Sequence, residues 1–255
     1  MSTHSTPKNT IEFRVWGRFA MFTDPITRVG GEKCSYHVPT YEALKGIAKS
    51  IYWKPTLIWV IDAVRVMKRI RTQTKGTKPL NYGGGNSLAI YTFLTGDPDP
   101  VTNLPSVEYQ VRAHFKWNGH RPELAKDRID GKHYQIAQRS LTLGGRQDIF
   151  LGTRDCQGYV APCAFGSGTG DYDGKGELGF GLMFHSFDYP DETGVHVLKS
   201  NFWRPQMVDG LIRFPEPEDK SLVKNEVREM MPKGFGLDRN VRNVTSEAEG
   251  IEGLA

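Results

Sequence analysis

Strict alternation of apolar and polar residues marks one segment above all others. Val107, Tyr109, Val111, Ala113, Phe115 and Trp117 interleave with Glu108, Gln110, Arg112, His114 and Lys116, so an extended chain buries one face and presents a largely cationic one. Glu12–Phe22 opens in the same way, with Phe13 and Val15 set against Arg14, Trp16 and Arg18. The period changes after Pro39 and Thr40, a stop and an N-cap. Tyr41, Leu44, Ile47, Ala48 and Ile51 then recur at helical spacing, which predicts a helix ending near Tyr52. Leu57–Arg71 is rich in β-branched residues and predicts one strand that runs from buried to basic, with Arg65, Met67, Arg69 and Arg71 on one face. A second helix is expected from Asp130, its cap, to about Leu143, followed by strands over Gly158–Phe165 and Leu178–Phe187. Asp209-Gly210 suits a two-residue hairpin turn.

From Ala63 through Gly96 there are six basic residues and no acidic one, and Lys75, Lys78 and the flexible Tyr82–Asn86 lie at the centre. That stretch predicts a projecting basic ribbon over about 66–106. The order strand, helix, strand, ribbon, strand, helix, strand matches the split β-α-β pattern, so the expected class is α+β. The expected domains are a ferredoxin-like, RRM-like domain over 12–165 and a small antiparallel β domain over 166–231. Residues 1–11 and 232–255, poor in apolar residues, are expected to be loose.

With 255 residues, 38% hydrophobic and 24% charged, the chain can bury a sizeable core, which excludes a disordered scaffold. Its longest nearly apolar run, Thr56–Ala63, is interrupted by Asp62 and falls far short of the roughly 20 residues of a membrane span. No secretory signal is legible, three cysteines are few for an oxidising compartment, and a cytoplasmic setting without membrane contact is the expectation. The net charge of +4 hides a division: residues 1–150 carry 22 Lys and Arg against 12 Asp and Glu, and residues 151–255 carry 11 against 17. Such asymmetry suits a polyanion on the first part, or equally a solvated basic face with no ligand.

Metal chemistry finds little support, since Cys34, Cys156 and Cys163 form no CxxC pair and no HExxH is present. Gly83-Gly84-Gly85 lacks the GK[ST] ending of a phosphate loop. No metal or cofactor is expected. Asp130-Gly131-Lys132-His133-Tyr134 is more informative, because lysine at a helix N-terminus opposes the helix dipole by about 0.3 to 1 kcal/mol. A bound phosphate would offset that cost, and an imidazole kept neutral there could accept a proton from a ribose 2′-hydroxyl. A surface Lys-His pair without a role accounts for the same residues. Tyr52, at the end of the first helix, reads either as packing or as a catalytic hydroxyl.

Longer blocks narrow the choice. Phe22–Pro25, Gly30–Lys33, Val38–Ala48, Ser50–Pro55, Tyr82–Asn86, Gly131–Tyr134, Ile149–Gly152, Gln157–Pro162 and Tyr189–Gly194 together resemble the CRISPR-associated proteins of the fifth Cas family, subtype I-C, over roughly Glu12–Asp219. Gly96–Ser106, the first ten residues and the tail after Pro232 depart from that pattern.

The resemblance implies a ferredoxin-like domain with a β-ribbon thumb and a smaller antiparallel C-terminal domain, within the repeat-associated RNA-binding superfamily. It further implies a metal-independent endoribonuclease of prokaryotic cytoplasm that cuts the repeat of the CRISPR precursor transcript. The protein would then remain on the crRNA 5′ handle beside the backbone and large subunits of the interference complex, meeting target DNA only through that complex. The family's functional residues fall on Tyr52, Lys132 and His133. On this reading His133 takes the 2′-hydroxyl proton, Lys132 neutralises the scissile phosphate and Tyr52 serves the leaving 5′-oxygen, with roles of His133 and Tyr52 exchangeable. The products would be a 2′,3′-cyclic phosphate and a 5′-hydroxyl. Arg14, Arg18, Arg65, Arg69, Arg71, Lys75, Arg112, His114, Lys116 and Arg146 are the expected RNA contacts. The alternative is a non-catalytic, structural subunit on the 5′ handle.

Overall fold

The alternating segment becomes the central strand of a sheet in a computed structural model that describes residues 9–25, 27, 32–77, 89–98, 103–237 and 240–245. In chain order the elements are β1 (Thr10–Gly17), β2 (Lys33–Cys34), α1 (Tyr41–Ile51), β3 (Leu57–Val66), β4 (Arg71–Thr77), β5 (Ala89–Thr95) and β6 (Val107–Trp117). A 3-10 helix (Pro122–Asp127) leads to α2 (Asp130–Thr142), β7 (Ile149–Phe150) and β8 (Gln157–Pro162). Then come β9 (Glu177–Gly179), β10 (Met183–Asp188), α3 (Pro190–Thr193), β11 (Val197–Trp203), β12 (Gln206–Val208), β13 (Leu211–Arg213) and β14 (Val223–Glu229).

Eight strands form one sheet in the order β7-β8-β1-β6-β3-β13-β12-β9. β6 lies antiparallel between β1 and β3, with Phe13 opposite Val111 and Trp59 opposite Phe115. Strand alternation sends Phe13, Val15, Val111, Ala113 and Phe115 to one face, where they join Leu44, Ile47 and Ile51 of α1 and Ile136, Ala137 and Leu141 of α2 in the core. Each such aliphatic or aromatic side chain contributes about 1.5–3 kcal/mol on full burial, so the pattern fixes which face the helices cover. Thr40 caps α1 by accepting from the Ala43 amide at 3.2 Å. At the other end Tyr52 leaves the helix in extended conformation, its own amide still bonded to Ala48 O at 3.1 Å.

Three expectations need correction. Asp130 is the first residue of α2 and Ile129 the N-cap, with no side-chain cap. The expected strand Leu57–Arg71 is two strands, because the main-chain amides between them are taken up elsewhere. Met67 N bonds Glu108 O at 3.0 Å, Arg69 N bonds Asp171 Oδ2 at 2.7 Å, and Ile70 N bonds Tyr172 Oη at 3.0 Å, which turns the chain into β4. Leu178–Phe187 likewise divides into β9 and β10.

β4 and β5 pair antiparallel from Arg71–Thr95 to Thr77–Ala89 and form the arms of the expected ribbon. Its centre, Tyr82–Asn86 with Lys78, lies outside the described residues. Reciprocal bonds between Ala20 and Leu94 fasten the base.

The second half is less separate than its composition implies. β13 joins the main sheet against β3 and is followed outward by β12 and β9, while β10, β11 and β14 make a second, three-stranded sheet. Asp209 and Gly210, with φ of 48° and 81°, form the expected two-residue turn between β12 and β13. Within the tail expected to be loose, Val244 is completely buried, so residues 240–245 form a strap on the body of the protein.

Candidate active site

The C-terminal end of α1 and the first turn of α2 meet beside β6. Tyr52 Oη lies 2.8 Å from His133 Nδ1, and both residues are fully buried. Trp59 of β3 donates its indole N–H to Tyr52 O at 2.6 Å and fixes the backbone where the helix ends. Trp117 and Phe115 of β6 pack against the imidazole, the first edge-on with ring centroids 5.2 Å apart.

The other imidazole nitrogen sets the protonation pattern. His133 Nε2 is 2.6 Å from Asp127 O, and a carbonyl can only accept, so Nε2 carries the hydrogen. When the ring is neutral Nδ1 is then the acceptor, and Tyr52 donates to it. The Asp127 carboxylate lies near the same ring edge, with Oδ2 3.7 Å from Nε2. Thr56 Oγ1 donates to Oδ2 at 2.8 Å, and Lys54 Nζ lies 3.5 Å from it. The strap supplies the Val244 amide to Oδ1 at 2.6 Å.

Lys132 follows a different direction from its neighbour. Helical geometry turns successive side chains about 100° apart, so with His133 inside, Lys132 reaches outward to Thr245 Oγ1 at 3.0 Å. Lys54 Nζ also donates to Arg242 O of the strap. Arg146 lies over the Tyr52 ring, 4.7 Å from its centroid, and donates to Ser140 Oγ at 3.2 Å. Tyr52, His133 and Lys132 therefore occupy one neighbourhood, closed by Arg146 and by residues 240–245.

The expected RNA contacts divide by environment. Arg14 and Arg18 are exposed, Arg14 stacking on Trp16 at 4.3 Å on the sheet face opposite the helices. Trp16 in turn meets Tyr159, 57% exposed, with centroids 5.9 Å apart. Arg69 is exposed; Arg71 pairs with Asp97 at 2.5 Å, and Lys75 covers the Phe19 ring at 3.7 Å. On β6, Arg112 donates to Glu12 at 2.8 Å, His114 meets Asp62 at 2.8 Å and Lys116 meets Glu216 at 2.5 Å, so each has a carboxylate beside it. Arg65 is a structural clamp: it is buried, holds both oxygens of Asp173 at 2.8 and 2.6 Å, and donates to the carbonyls of Ser167 and Gly168.

Asp127, Lys54, Thr56 and the strap were not singled out by sequence reasoning. Asp127 touches His133 through its main chain, which leaves no side-chain pattern, although Lys54 does fall within the Ser50–Pro55 block.

Comparison with known proteins finds relatives of the chain. A family model described as CRISPR-associated protein (Cas_Cas5) matches residues 10–215. A protein of Mannheimia succiniciproducens named CRISPR pre-crRNA endoribonuclease Cas5d is 27% identical over 227 residues, spanning 81% of this chain and 95% of that protein. A solved structure described as a CRISPR-associated protein aligns with a TM-score of 0.68 at 32% identity, covering 86% of this chain and 99% of its own. A functionally uncharacterized protein from Streptococcus mutans aligns with a TM-score of 0.67 at 36% identity, covering 85% and 96%.

Proposed function

The chain belongs to the Cas5 family of CRISPR-associated proteins, subtype I-C, and from that membership we propose that it is a metal-independent endoribonuclease that cleaves the repeat of CRISPR precursor RNA. The observation that carries this reading is the hydrogen bond from Tyr52 Oη to His133 Nδ1 at 2.8 Å, a proton donor and a proton acceptor already joined. Nδ1 of the imidazole faces Tyr52 Oη, which supports a relay in place of the direct role first expected for His133. The ribose 2′-oxygen passes its proton to Tyr52 Oη as the Tyr52 proton moves to Nδ1. The 2′-oxygen then bonds to phosphorus and the bond to the 5′-oxygen breaks. Lys132 balances the phosphate charge and supplies the proton for the leaving oxygen, leaving a 2′,3′-cyclic phosphate and a 5′-hydroxyl.

RNA must displace something to reach Tyr52. Arg146 is exposed and cationic, so an approaching phosphate competes directly with the tyrosine ring for its guanidinium. The strand order β8-β1-β6-β3, with α1 and α2 as the two crossovers, supports reading this part as a ferredoxin-like, RRM-like domain, and β4–β5 as its thumb. After cleavage the protein stays on the 5′ handle as a subunit of the interference complex, its acidic second half turned toward the neighbouring backbone and large subunits.

The complete burial of Tyr52 and His133 favours one second reading, a non-catalytic subunit that only holds the handle. Purified protein incubated with repeat RNA in EDTA decides between them. The enzyme yields two fragments of defined length, and the structural subunit only retards the RNA.

A further inference from the structure

We infer that Asp127 is a positioning residue for His133, its carbonyl fixing which ring nitrogen carries the hydrogen and its buried carboxylate serving as counter-ion when the imidazole takes a proton. This rests on the catalytic reading of Tyr52 and His133. The carboxylate is wholly enclosed and cannot turn away, since Val244 N holds Oδ1 at 2.6 Å and Thr56 Oγ1 holds Oδ2 at 2.8 Å. That grip leaves Oδ2 3.7 Å from His133 Nε2, on the ring edge remote from Tyr52. Charge arriving at Nδ1 spreads over the ring, and a fully buried, fixed carboxylate stabilises it far more than an exposed one could. Lys54, 3.5 Å from the same oxygen, opposes that effect and sets its strength. Among the described residues, the titratable and charged groups around the imidazole include Tyr52 at the C-cap of α1, Lys54 from the connection to β3, Asp127 from the 3-10 helix, Lys132 beside it on α2, and Arg146 beyond the tyrosine ring. From β6 the rings of Phe115 and Trp117 reach it.

Single-turnover cleavage of repeat RNA by the full chain, measured from pH 5 to pH 9, tests the assignment. Asp127→Asn keeps the size of the side chain and the backbone carbonyl, and removes the charge. The imidazole then loses its proton more readily, so the acid limb of the rate profile moves to lower pH by about one unit. The plateau falls about 10- to 100-fold, less than the roughly 10⁴ that follows loss of the correct tautomer in a triad, because the carbonyl still holds the tautomer. Lys54→Met moves the limb to higher pH, and it carries the test by itself should Asp127→Asn not fold. A lower plateau with an unmoved limb in these variants makes Asp127 purely structural and overturns the inference, as does wild-type cleavage by Asp127→Asn. Undiminished cleavage by His133→Ala instead overturns the catalytic reading beneath it.

Discussion

Tyr52 and His133, 81 residues apart in sequence, share one hydrogen bond in which the phenol donates and Nδ1 accepts. The direction follows from Asp127 O on the far side of the ring, and in the proposed mechanism the tyrosine oxygen is the atom that exchanges a proton with RNA.

Tyr52→Phe isolates that oxygen. The ring remains for Arg146 to cover and for the helix end to pack, so folding and RNA affinity stay near wild type. Loss of one positioned proton-transfer group lowers the cleavage rate by about 10² to 10⁴, and His133→Ala falls in the same range. Single-turnover rates alongside gel-shift affinities separate this from a binding defect.

Glu192 belongs to the Tyr189–Gly194 block and ties α3 to α1. It pairs with Lys45, only 1% exposed, and with Lys49 at 2.9 Å. The two lysines hold its carboxyl below the ordinary range against the opposing effect of burial. Glu192→Gln leaves the Lys45 ammonium buried beside a neutral amide and lowers unfolding free energy by about 3–5 kcal/mol. Urea titration reads this directly.

His185 gives the fold an acid limit. Its ring stacks on Tyr41 at 4.4 Å, donates through Nε2 to Pro215 O at 3.1 Å and accepts at Nδ1 from Ser186 Oγ at 2.9 Å. Burial lowers its pKa from 6.5 to about 3. The unfolded chain therefore binds the proton more readily. Stability from this residue is complete above pH 6.5 and is lost as pH falls toward 3, at about 1.4 kcal/mol per unit. His185→Gln shows a shallower decline over that window in pH-dependent urea unfolding.

Arg14 and Arg65, both expected to bind RNA, differ in outcome. Arg14→Ala lowers the slope of log affinity against log salt by about 0.7–0.9, the loss of one phosphate contact, and leaves thermal stability unchanged. Arg65→Ala leaves the slope unchanged and destabilises the fold, because Asp173 and the carbonyls of Ser167 and Gly168 lose their donor.

Periodicity made the scaffold legible: β6 spans the same residues as its alternation, and α1 begins where Thr40 can cap it. Strong local patterns survive folding because one buried face decides them. The break after β3 was not legible, since it depends on Asp171 and Tyr172 reaching back about a hundred residues to Arg69 and Ile70. The basic residues of β6 read as a phosphate-binding face, and the carboxylates of Glu12, Asp62 and Glu216 beside them were not legible, because other strands and loops bring them there. Within the site, Tyr52, Lys132 and His133 came from matched blocks, whereas Asp127 meets His133 from a separate 3-10 helix, through a carbonyl that any residue would supply and a carboxylate that no sequence spacing links to the imidazole.

In the proposed reaction the RNA's own 2′-oxygen attacks the phosphate under the Tyr52–His133 pair. The direct measurement uses two repeat RNAs that differ by one 2′-deoxy substitution at the nucleotide 5′ of the scissile bond, incubated with the purified chain in EDTA. The unmodified RNA is expected to be cut to a 2′,3′-cyclic phosphate, and the deoxy RNA to bind without being cut. Equal cleavage of the two RNAs would contradict the proposed reaction.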